Sequence, residues 1–165
     1  MKADKLYLVG FMGAGKTTVA AALSRRVGWR TEDIDVRIEA LERRTVSAIF
    51  AQDGEPYFRR VERQVLRELL PDRNVIVATG GGTFADPDNR ALMLADGAVA
   101  WLDAPLDRII ERVPADGRRP LAADRGQLEQ LYLRRRATYA EAHVRIDATR
   151  PVDEIVEQLL DWIGY

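Results

Sequence analysis

Four short apolar runs are spaced along the chain, and each is long enough for one buried β-strand. They occupy residues 6–9, 75–78, 98–102 and 144–146. A further short strand is expected around residues 30–33. Segments with a helical period separate these runs, and such alternation predicts a parallel sheet that is covered by helices.

The first helix is predicted to begin at Lys16. Val19, Leu23 and Val27 recur at helical spacing behind it and form one apolar stripe. Gly28 follows directly, and a glycine at this place is typical of a helix C-terminus.

Later helices are predicted from the same period and from proline positions. Segments 35–44 and 47–70 read as helices, with an interruption near residues 53–54. Pro105 and Pro151 each fit the first position of a helix, where a missing N–H is tolerated. The last of these helices carries an apolar stripe along its whole length.

A glycine-rich motif lies between the first strand and the first helix. Residues 10–17, GFMGAGKT, match G-x-x-x-x-G-K-[ST] in that context. The glycines allow a tight turn that directs backbone N–H groups at phosphate oxygens, and the helix N-terminus favours negative charge. Lys16 would reach the β- and γ-phosphates, and the Thr17 hydroxyl would bind Mg²⁺. The motif predicts a nucleotide site; a glycine-rich turn without nucleotide is the alternative.

Two aspartates end the predicted second strand. Asp33 and Asp35 alternate along an extended segment, so both carboxylates can face the phosphates. One could hold Mg²⁺ through water, and the other could accept a proton from a substrate. The alternative is that Asp35 caps the helix that begins there.

Three consecutive glycines follow the apolar run at 75–78. The sequence of residues 79–83 is TGGGT, which removes every side chain from that strand end. A close approach to the backbone is the expected reason. A ligand at the carboxyl edge of the sheet would explain it, and a flexible turn is the alternative.

Arg59 and Arg60 lie on a predicted helix whose buried stripe includes Phe58, Val61 and Val65. By this pattern alone, either arginine is a solvated surface residue. A polar stretch with Pro, Gly and clustered arginine at about 114–125 is predicted to be a mobile loop.

Composition narrows the class of protein. The chain has 165 residues, 47% hydrophobic and 31% charged, which fits one soluble domain. It has no cysteine and one histidine, His143, so thiol chemistry and a His-rich metal site are excluded. A net charge of −1 gives no overall reason to expect nucleic acid. No apolar run reaches the roughly 20 residues of a membrane helix, and the start lacks a leader pattern, so we expect a cytoplasmic protein with no membrane partner.

Taken together in order, these segments resemble the shikimate kinase family along nearly the whole chain. In chain order, the segments read GFMGAGKTT, DIDVRIE, DGEPYFRRVE, TGGGT and RRP. An arginine that precedes a late tyrosine follows them. The resemblance implies that ATP phosphorylates the 3-hydroxyl of shikimate on the route to chorismate and the aromatic amino acids.

The resemblance also implies a fold. It is a three-layer α/β/α P-loop NTPase fold with a five-stranded parallel sheet, like that of nucleoside monophosphate kinases. Residues 1–165 would form a single kinase domain. A mobile lid would lie at about 114–125 and a substrate-binding helical region at about 34–62. The family further suggests a monomer.

Residue roles toward the nucleotide follow from the same resemblance. Thr17 and Asp33 would lie on the magnesium side. Arg119, in the loop, would reach the transferring phosphate, and Arg112 would flank adenine. The residues that would bind the phosphates of ATP are Gly13, Ala14, Gly15, Lys16, Thr17 and Thr18.

Substrate roles come from the resemblance too. Asp35 would hold the hydroxyls of shikimate and help to deprotonate the attacking one. Arg59, the backbone of Gly81 and Arg135 would bind the rest of the substrate, with Glu62 orienting Arg59. The catalytic set implied by the family is Lys16, Asp35 and Arg119.

Two segments depart from the family pattern. The family reads R-x-P-x-Y where this chain has Arg135 and Tyr139 without the proline, so Arg134 or Arg136 could replace Arg135. The chain before the last strand is about one residue short, which leaves the assignment of residues 150–151 to the adenine pocket open. His143 in this region is predicted to be structural.

Two other functions compete with this hypothesis. A kinase for another small polyol acid, such as gluconate, shares the P-loop and the size. A nucleotide-dependent switch would share the P-loop only, and the chain lacks the N-K-x-D or T-K-x-D stretch that reads guanine.

Overall fold

The computed structural model describes residues 2–112 and 125–165. Five parallel strands form one sheet in the order β2-β3-β1-β4-β5. The four strands predicted from the apolar runs and the further strand expected around residues 30–33 are confirmed. The strands are β1 (Lys5–Val9), β2 (Arg30–Asp33), β3 (Val75–Ala78), β4 (Ala98–Asp103) and β5 (Val144–Asp147).

Seven helices lie between the strands or after the last one within the described ranges. They are α1 (Lys16–Val27), α2 (Ile34–Glu42), α3 (Val46–Leu69), α4 (Pro87–Asp96), α5 (Leu106–Arg112), α6 (Arg125–Tyr139) and α7 (Val152–Ile163). Helix α1 begins at the predicted residue. It ends as predicted at Gly28, which adopts φ 73° and donates its N–H to the Ser24 carbonyl at 2.8 Å.

Helix α3 is kinked where the sequence indicated an interruption. Gly54 has φ 81° and ψ 172°, values outside the helical region, and Pro56 follows two residues later. The prediction that Pro105 and Pro151 occupy the first position of a helix is wrong by one residue in each case. Pro151 is the N-cap of α7, with an extended ψ of 146°, and Pro105 directly precedes α5 rather than beginning it.

The three central strands are buried along their whole length, as expected when helices cover both faces of a parallel sheet. Helices α1 and α7 pack against each other, and α2 packs against α3. The predicted three-layer α/β architecture is therefore confirmed. Within the described ranges, no helix has both the length and the apolar character needed to cross a bilayer.

This topology brings three loops to one edge. Strand β1 leads into the P-loop, β2 into α2, and β3 into the glycine turn at residues 80–83. Strands β2, β3 and β1 are neighbours and parallel, so their carboxyl ends are adjacent. Ligands of open α/β sheets bind at this edge.

Candidate active site

A cleft of about 820 Å³ opens at the carboxyl edge of the sheet. It brings together residues from the P-loop, from helices α2, α3, α5 and α6, and from the glycine turn. Arg119 lies outside the described residues, and Ala14 is buried next to the cleft. The predicted site residues that line the cleft are Gly13, Gly15, Lys16, Thr17, Thr18, Asp33, Asp35, Arg59, Gly81, Arg112 and Arg135.

The P-loop is held by glycine conformations. Gly13 and Gly15 have φ of 77° and 98°, which side chains other than glycine rarely adopt. A Cβ on Gly10 would lie 2.7 Å from the Leu102 carbonyl oxygen, so the loop packs directly on the end of β4. The backbone can therefore curve tightly at the N-terminus of α1.

Lys16 folds back over the loop. Its ammonium Nζ donates to the carbonyl oxygens of Gly10 at 2.6 Å and Phe11 at 3.0 Å, and the residue is buried. Because the acceptors are carbonyl groups of its own loop, the lysine charge is kept at the N-terminus of α1. This is the place where a phosphate would bind.

Asp33, and not Asp35, caps helix α2. Asp33 Oδ1 accepts the Val36 N–H at 3.1 Å, while its Oδ2 accepts the Thr17 hydroxyl at 3.0 Å. The alternative that Asp35 is the cap is wrong, because α2 begins one residue earlier, at Ile34. Asp35 lies in the first turn of α2 and lines the cleft.

The oxygen donors of Thr17 and Asp33 fit a hard divalent cation. The two side chains are hydrogen-bonded to each other at the cleft, where Asp33 is half-exposed and Thr17 is exposed. Across residues 2–112 and 125–165, no cluster of three acidic or histidine side chains could enclose a metal. The Thr17 hydroxyl and the Asp33 carboxylate could supply part of the coordination of such an ion.

Side chains of the protein itself fill the space that the glycine turn leaves. A Cβ on Gly82 would lie 2.5 and 2.6 Å from the guanidinium nitrogens of Arg59 and 2.7 Å from Arg135 Nη1. A Cβ on Gly80 would lie 2.9 Å from Asp35 Oδ1. The predicted close approach is confirmed, and in this structure the approaching groups are two arginines and an aspartate.

Arg59 is fixed by a buried carboxylate. Its Nη1 donates to Glu62 Oε1 at 3.0 Å and Oε2 at 3.2 Å, and Glu55 accepts from the more exposed side. Glu62 also accepts the Thr83 hydroxyl at 2.9 Å, and Thr83 Oγ1 accepts the Gly80 N–H at 3.0 Å. This chain of bonds joins helix α3 to the glycine turn.

The charge of Arg59 is stabilised by the same partners. Burial acts to lower the pKa of Arg59, but Glu62 and Glu55 outweigh that effect and raise it. These partners add to the preference for the protonated form that every arginine already has. The interpretation of Arg59 as a solvated surface residue is wrong, since its side chain is only 16% exposed and faces the cleft.

Three consecutive arginines on α6 take different directions. Arg135 lines the cleft, and its Nη1 donates to the Gly81 carbonyl at 2.7 Å. Arg136 turns to Asp103, with Nη1 to Oδ1 at 2.6 Å, and Arg134 is exposed. Of these three arginines, Arg135 is the one that lines the cleft.

The other residues singled out from the sequence lie elsewhere. Arg112 Nη1 donates to the Gly13 carbonyl at 3.3 Å at the rim of the cleft. Arg150 pairs with Asp147 and Glu154 instead of lining the cleft. His143 Nδ1 accepts the Val99 N–H at 3.1 Å, which agrees with its predicted structural role.

Sequence reasoning missed the role of Tyr139 and Thr83. The Tyr139 hydroxyl donates to the Gly81 carbonyl, the same acceptor that Arg135 uses. Its spacing of four residues from Arg135 on one helix was the available signal. Thr83 gave none, because its partner Glu62 is 21 residues distant in the chain.

Comparisons with known proteins identify close relatives. A sequence profile described as "Shikimate kinase" matches residues 12–164. The shikimate kinase of Persephonella marina is 40% identical over 157 residues, covering 94% of this chain and 96% of that protein. A structure of shikimate kinase from Acinetobacter baumannii in complex with shikimate superimposes with a TM-score of 0.93 at 34% identity, covering 98% of this chain and 93% of that one. A deoxyadenosine kinase from M. mycoides shares the fold alone, with a TM-score of 0.65 at 17% identity over 97% of this chain and 98% of that one.

Proposed function

The chain belongs to the shikimate kinase family, and on that premise we propose how its cleft transfers the γ-phosphate of ATP to the 3-hydroxyl of shikimate. One observation carries the proposal: Arg59 and Arg135, from two separate helices, converge on Gly82 within the cleft that also contains the P-loop. Shikimate has one carboxylate and three hydroxyls. A site with two fixed arginines at one end and a phosphate loop at the other suits that molecule.

The arginines bind the substrate carboxylate. A guanidinium offers a planar pair of N–H donors that matches a carboxylate, and its charge does not depend on pH in the working range. Glu62 holds Arg59 from behind, so the arginine is oriented before substrate arrives. The Gly81 backbone lies beside both groups and supplies the surface against which the ring rests.

Asp35 acts on the hydroxyl that attacks. It lies across from Gly80 in the first turn of α2, between the glycine turn and the P-loop. The 3-oxygen of shikimate forms a bond to the γ-phosphorus while the bond from that phosphorus to the β–γ bridging oxygen breaks, and ADP leaves. Asp35 orients the hydroxyl and accepts its proton.

Lys16 and the P-loop backbone bind the phosphates. On nucleotide binding, the lysine Nζ exchanges the carbonyl groups of Gly10 and Phe11 for β- and γ-phosphate oxygens. It then stabilises the charge that is shared by the transferring group. Arg112, at the cleft rim, flanks adenine, while Arg119 lies outside the described residues and keeps its assigned role at the transferring phosphate as a proposal.

Magnesium belongs to this site as an ATP-bound ion. Thr17 would bind it directly, and Asp33 would hold it through water. Bound there, the ion neutralises phosphate charge and orients the γ-phosphate. The Asp33 carboxylate also fixes the Thr17 hydroxyl, so one residue connects the metal site to the start of α2.

The wider organisation follows the same proposal. Residues 1–165 form a single kinase domain, in which the helical region at about 34–62 binds substrate. The lid expected at about 114–125 lies almost wholly outside the described residues, and its role in excluding water and limiting hydrolysis of ATP is part of the proposal. A monomeric enzyme in the cytoplasm fits this small-molecule chemistry.

A coupled assay of ADP release tests the function. The protein is incubated with ATP, MgCl₂ and one acceptor at a time: shikimate, quinate, gluconate or none. We expect rapid ADP release with shikimate and a background rate with gluconate and without acceptor. Preferred turnover of gluconate would favour the rival kinase. Nucleotide binding with no acceptor-dependent turnover would favour a switch.

A further inference from the structure

We propose that Tyr139 is a positioning residue for the carboxylate end of the cleft, because its hydroxyl fixes the Gly81 carbonyl against which Arg135 is aligned. The inference rests on the proposed function, since the alignment of Arg135 matters only for a substrate with a carboxylate. It adds a residue that would not contact the substrate itself.

Two donors from one helix meet at a single carbonyl oxygen. Tyr139 is the last residue of α6, and Arg135 lies one turn earlier on the same face. The Tyr139 hydroxyl donates to the Gly81 oxygen, and Arg135 Nη1 donates to the same atom at 2.7 Å. A carbonyl oxygen has two lone pairs, and here both are used.

The shared carbonyl controls the neighbouring residue as well. The peptide unit is planar, so the direction of the Gly81 carbonyl also sets the Gly82 N–H. Gly82 is the point at which Arg59 and Arg135 converge. Bonds within the turn use the Gly80 and Gly82 carbonyl groups, whereas the donors to the Gly81 carbonyl come from helix α6.

Tyr139 provides the contact that persists when substrate binds. Arg135 must direct N–H groups to the carboxylate, and its bond to Gly81 then weakens or is shared. The Tyr139 hydroxyl is not needed as a ligand of the substrate, so it can keep its bond to the Gly81 carbonyl. The turn therefore does not have to reorganise during the catalytic cycle.

The tyrosine is suited to this task by its surroundings. Its side chain is buried, and its ring lies 6.0 Å from that of Trp101 between centroids. Burial raises the pKa of Tyr139, although Arg135 and Arg59 act in the opposite direction. The hydroxyl is therefore a proton donor throughout the working pH range. Replacement by phenylalanine would remove one oxygen atom and keep the packing.

Tyr132 on the same helix offers a matched control. Its hydroxyl donates to the Ala104 carbonyl at 2.9 Å, beyond the end of β4, and the residue is nearly as buried as Tyr139. Tyr132→Phe and Tyr139→Phe each remove a hydrogen bond from a buried hydroxyl to a backbone carbonyl, and Tyr132→Phe also removes an acceptor of Arg136 Nη1. Only the second acceptor belongs to the glycine turn.

The experiment compares wild type, Tyr139→Phe and Tyr132→Phe in steady-state kinetics, thermal unfolding and calorimetric titration with shikimate. For Tyr139→Phe we expect the KM and Kd for shikimate to rise about 5- to 10-fold, the effect of one lost neutral hydrogen bond, with the KM for ATP changed less than about twofold. For Tyr132→Phe we expect a similar fall in Tm without a change in shikimate affinity. Wild-type affinity in Tyr139→Phe, or an equal loss in Tyr132→Phe, would overturn the proposal.

A double-mutant cycle tests the route through Arg135. In an Arg135→Ala background, we expect Tyr139→Phe to change shikimate affinity less than about twofold, because the aligned group is already gone. Full additivity of the two losses would overturn the proposed route. Failure of the wild-type protein to phosphorylate shikimate would instead remove the proposed function, so the two failures are distinguishable.

Discussion

The two halves of the cleft differ in how their charged groups are held. In the substrate half, Arg59 is fixed by the buried Glu62, and Arg135 is fixed on the Gly81 carbonyl. In the nucleotide half, Lys16 binds carbonyl groups of its own loop, and Arg112 lies at the rim with a hydrogen bond of 3.3 Å to the Gly13 carbonyl. Arg59 in the substrate half thus has a buried carboxylate as its partner, whereas Lys16 in the nucleotide half has backbone carbonyl groups of its own loop.

This difference follows from the nature of the two ligands. A triphosphate carries enough charge to draw a lysine and a backbone loop into place. A single carboxylate carries less charge. If its binding also had to order an arginine side chain, the entropy cost of that ordering would weaken the affinity for shikimate. Pre-ordering by Glu62 and Tyr139 removes that requirement in the substrate half.

The largest effect is expected in the nucleotide half, from Lys16→Met. We predict that kcat falls by about 10²- to 10³-fold or more, since the lysine stabilises the transferring phosphoryl group. The Kd for shikimate in the absence of nucleotide should stay near that of wild type. Circular dichroism provides the check on folding, and a folded variant that retains more than about a tenth of wild-type kcat would contradict the assignment.

In the substrate half, Arg59→Ala and Arg135→Ala should each lower kcat/KM for shikimate by at least about 30-fold, because truncation of one partner in a buried charge pair typically costs ~2 to 5 kcal/mol. ATP binding to the free enzyme should barely change. Arg60→Ala is the matched control: Arg60 neighbours Arg59 on α3 but is exposed and contacts the ring of Tyr57. A loss of similar size in Arg60→Ala would show that the effect is not specific to the cleft.

Glu62→Gln sharpens the claim that the substrate half is pre-ordered. The side chain keeps its shape but loses its charge, and we expect about a tenfold loss in kcat/KM for shikimate with little change in ATP affinity. Glu55→Gln is the control on the same arginine. The Glu55 side chain is 48% exposed against 1% for Glu62, and exposed pairs contribute less than about 1 kcal/mol. Equal effects of the two variants would argue against pre-ordering by the buried carboxylate.

The smallest effects concern two helix caps, one in each half. Asp33 caps α2 beside the P-loop, and Asp86 caps α4 after the glycine turn, with its Oδ1 accepting the N–H groups of Asp88 and Asn89. Removal of either cap by alanine should lower the free energy of unfolding by about 1 to 2 kcal/mol. Only Asp33→Ala should also raise the MgCl₂ concentration for half-maximal activity, by about tenfold. An unchanged magnesium requirement in Asp33→Ala would limit that residue to its capping role.

Acidification acts on the Asp86 cap in a defined direction. Burial acts to raise the pKa of Asp86, but donors from Arg63 and from the first turn of α4 outweigh it, and the pKa lies below its usual value. The stabilisation is therefore present above the pKa of the unfolded chain and is lost as pH falls through the lower native value. Chemical denaturation at several pH values should show this loss in wild type and a weaker dependence in Asp86→Asn.

Much of this fold could be predicted from the sequence, because its signals are local. The three central strands are continuous apolar runs, and Gly28 and Gly54 mark backbone conformations that need no distant partner. The cap of α2 was misplaced because Asp33 and Asp35 are both acceptable caps, and only the helix start distinguishes them.

The supporting contacts of the site could not be predicted in the same way. Arg59 reads as a surface residue on its helix, and its burial depends on a glycine turn more than 20 residues away. The bond from Thr83 to Glu62 and that from Tyr139 to Gly81 each join distant segments. Such contacts exist only after the sheet has brought α3, α6 and the turn together.

The most direct test of the account combines a substrate change with an arginine change. The central claim is that Arg59 and Arg135 bind the carboxylate of shikimate. In wild type, we predict that replacing this carboxylate by a carboxamide lowers kcat/KM by at least about 30-fold, because the two guanidinium groups lose their partner. In Arg59→Ala or Arg135→Ala, the same replacement should cost much less, because one guanidinium is already absent. Full additivity of the two losses would contradict the claim, and wild-type activity with the carboxamide would contradict the choice of shikimate itself.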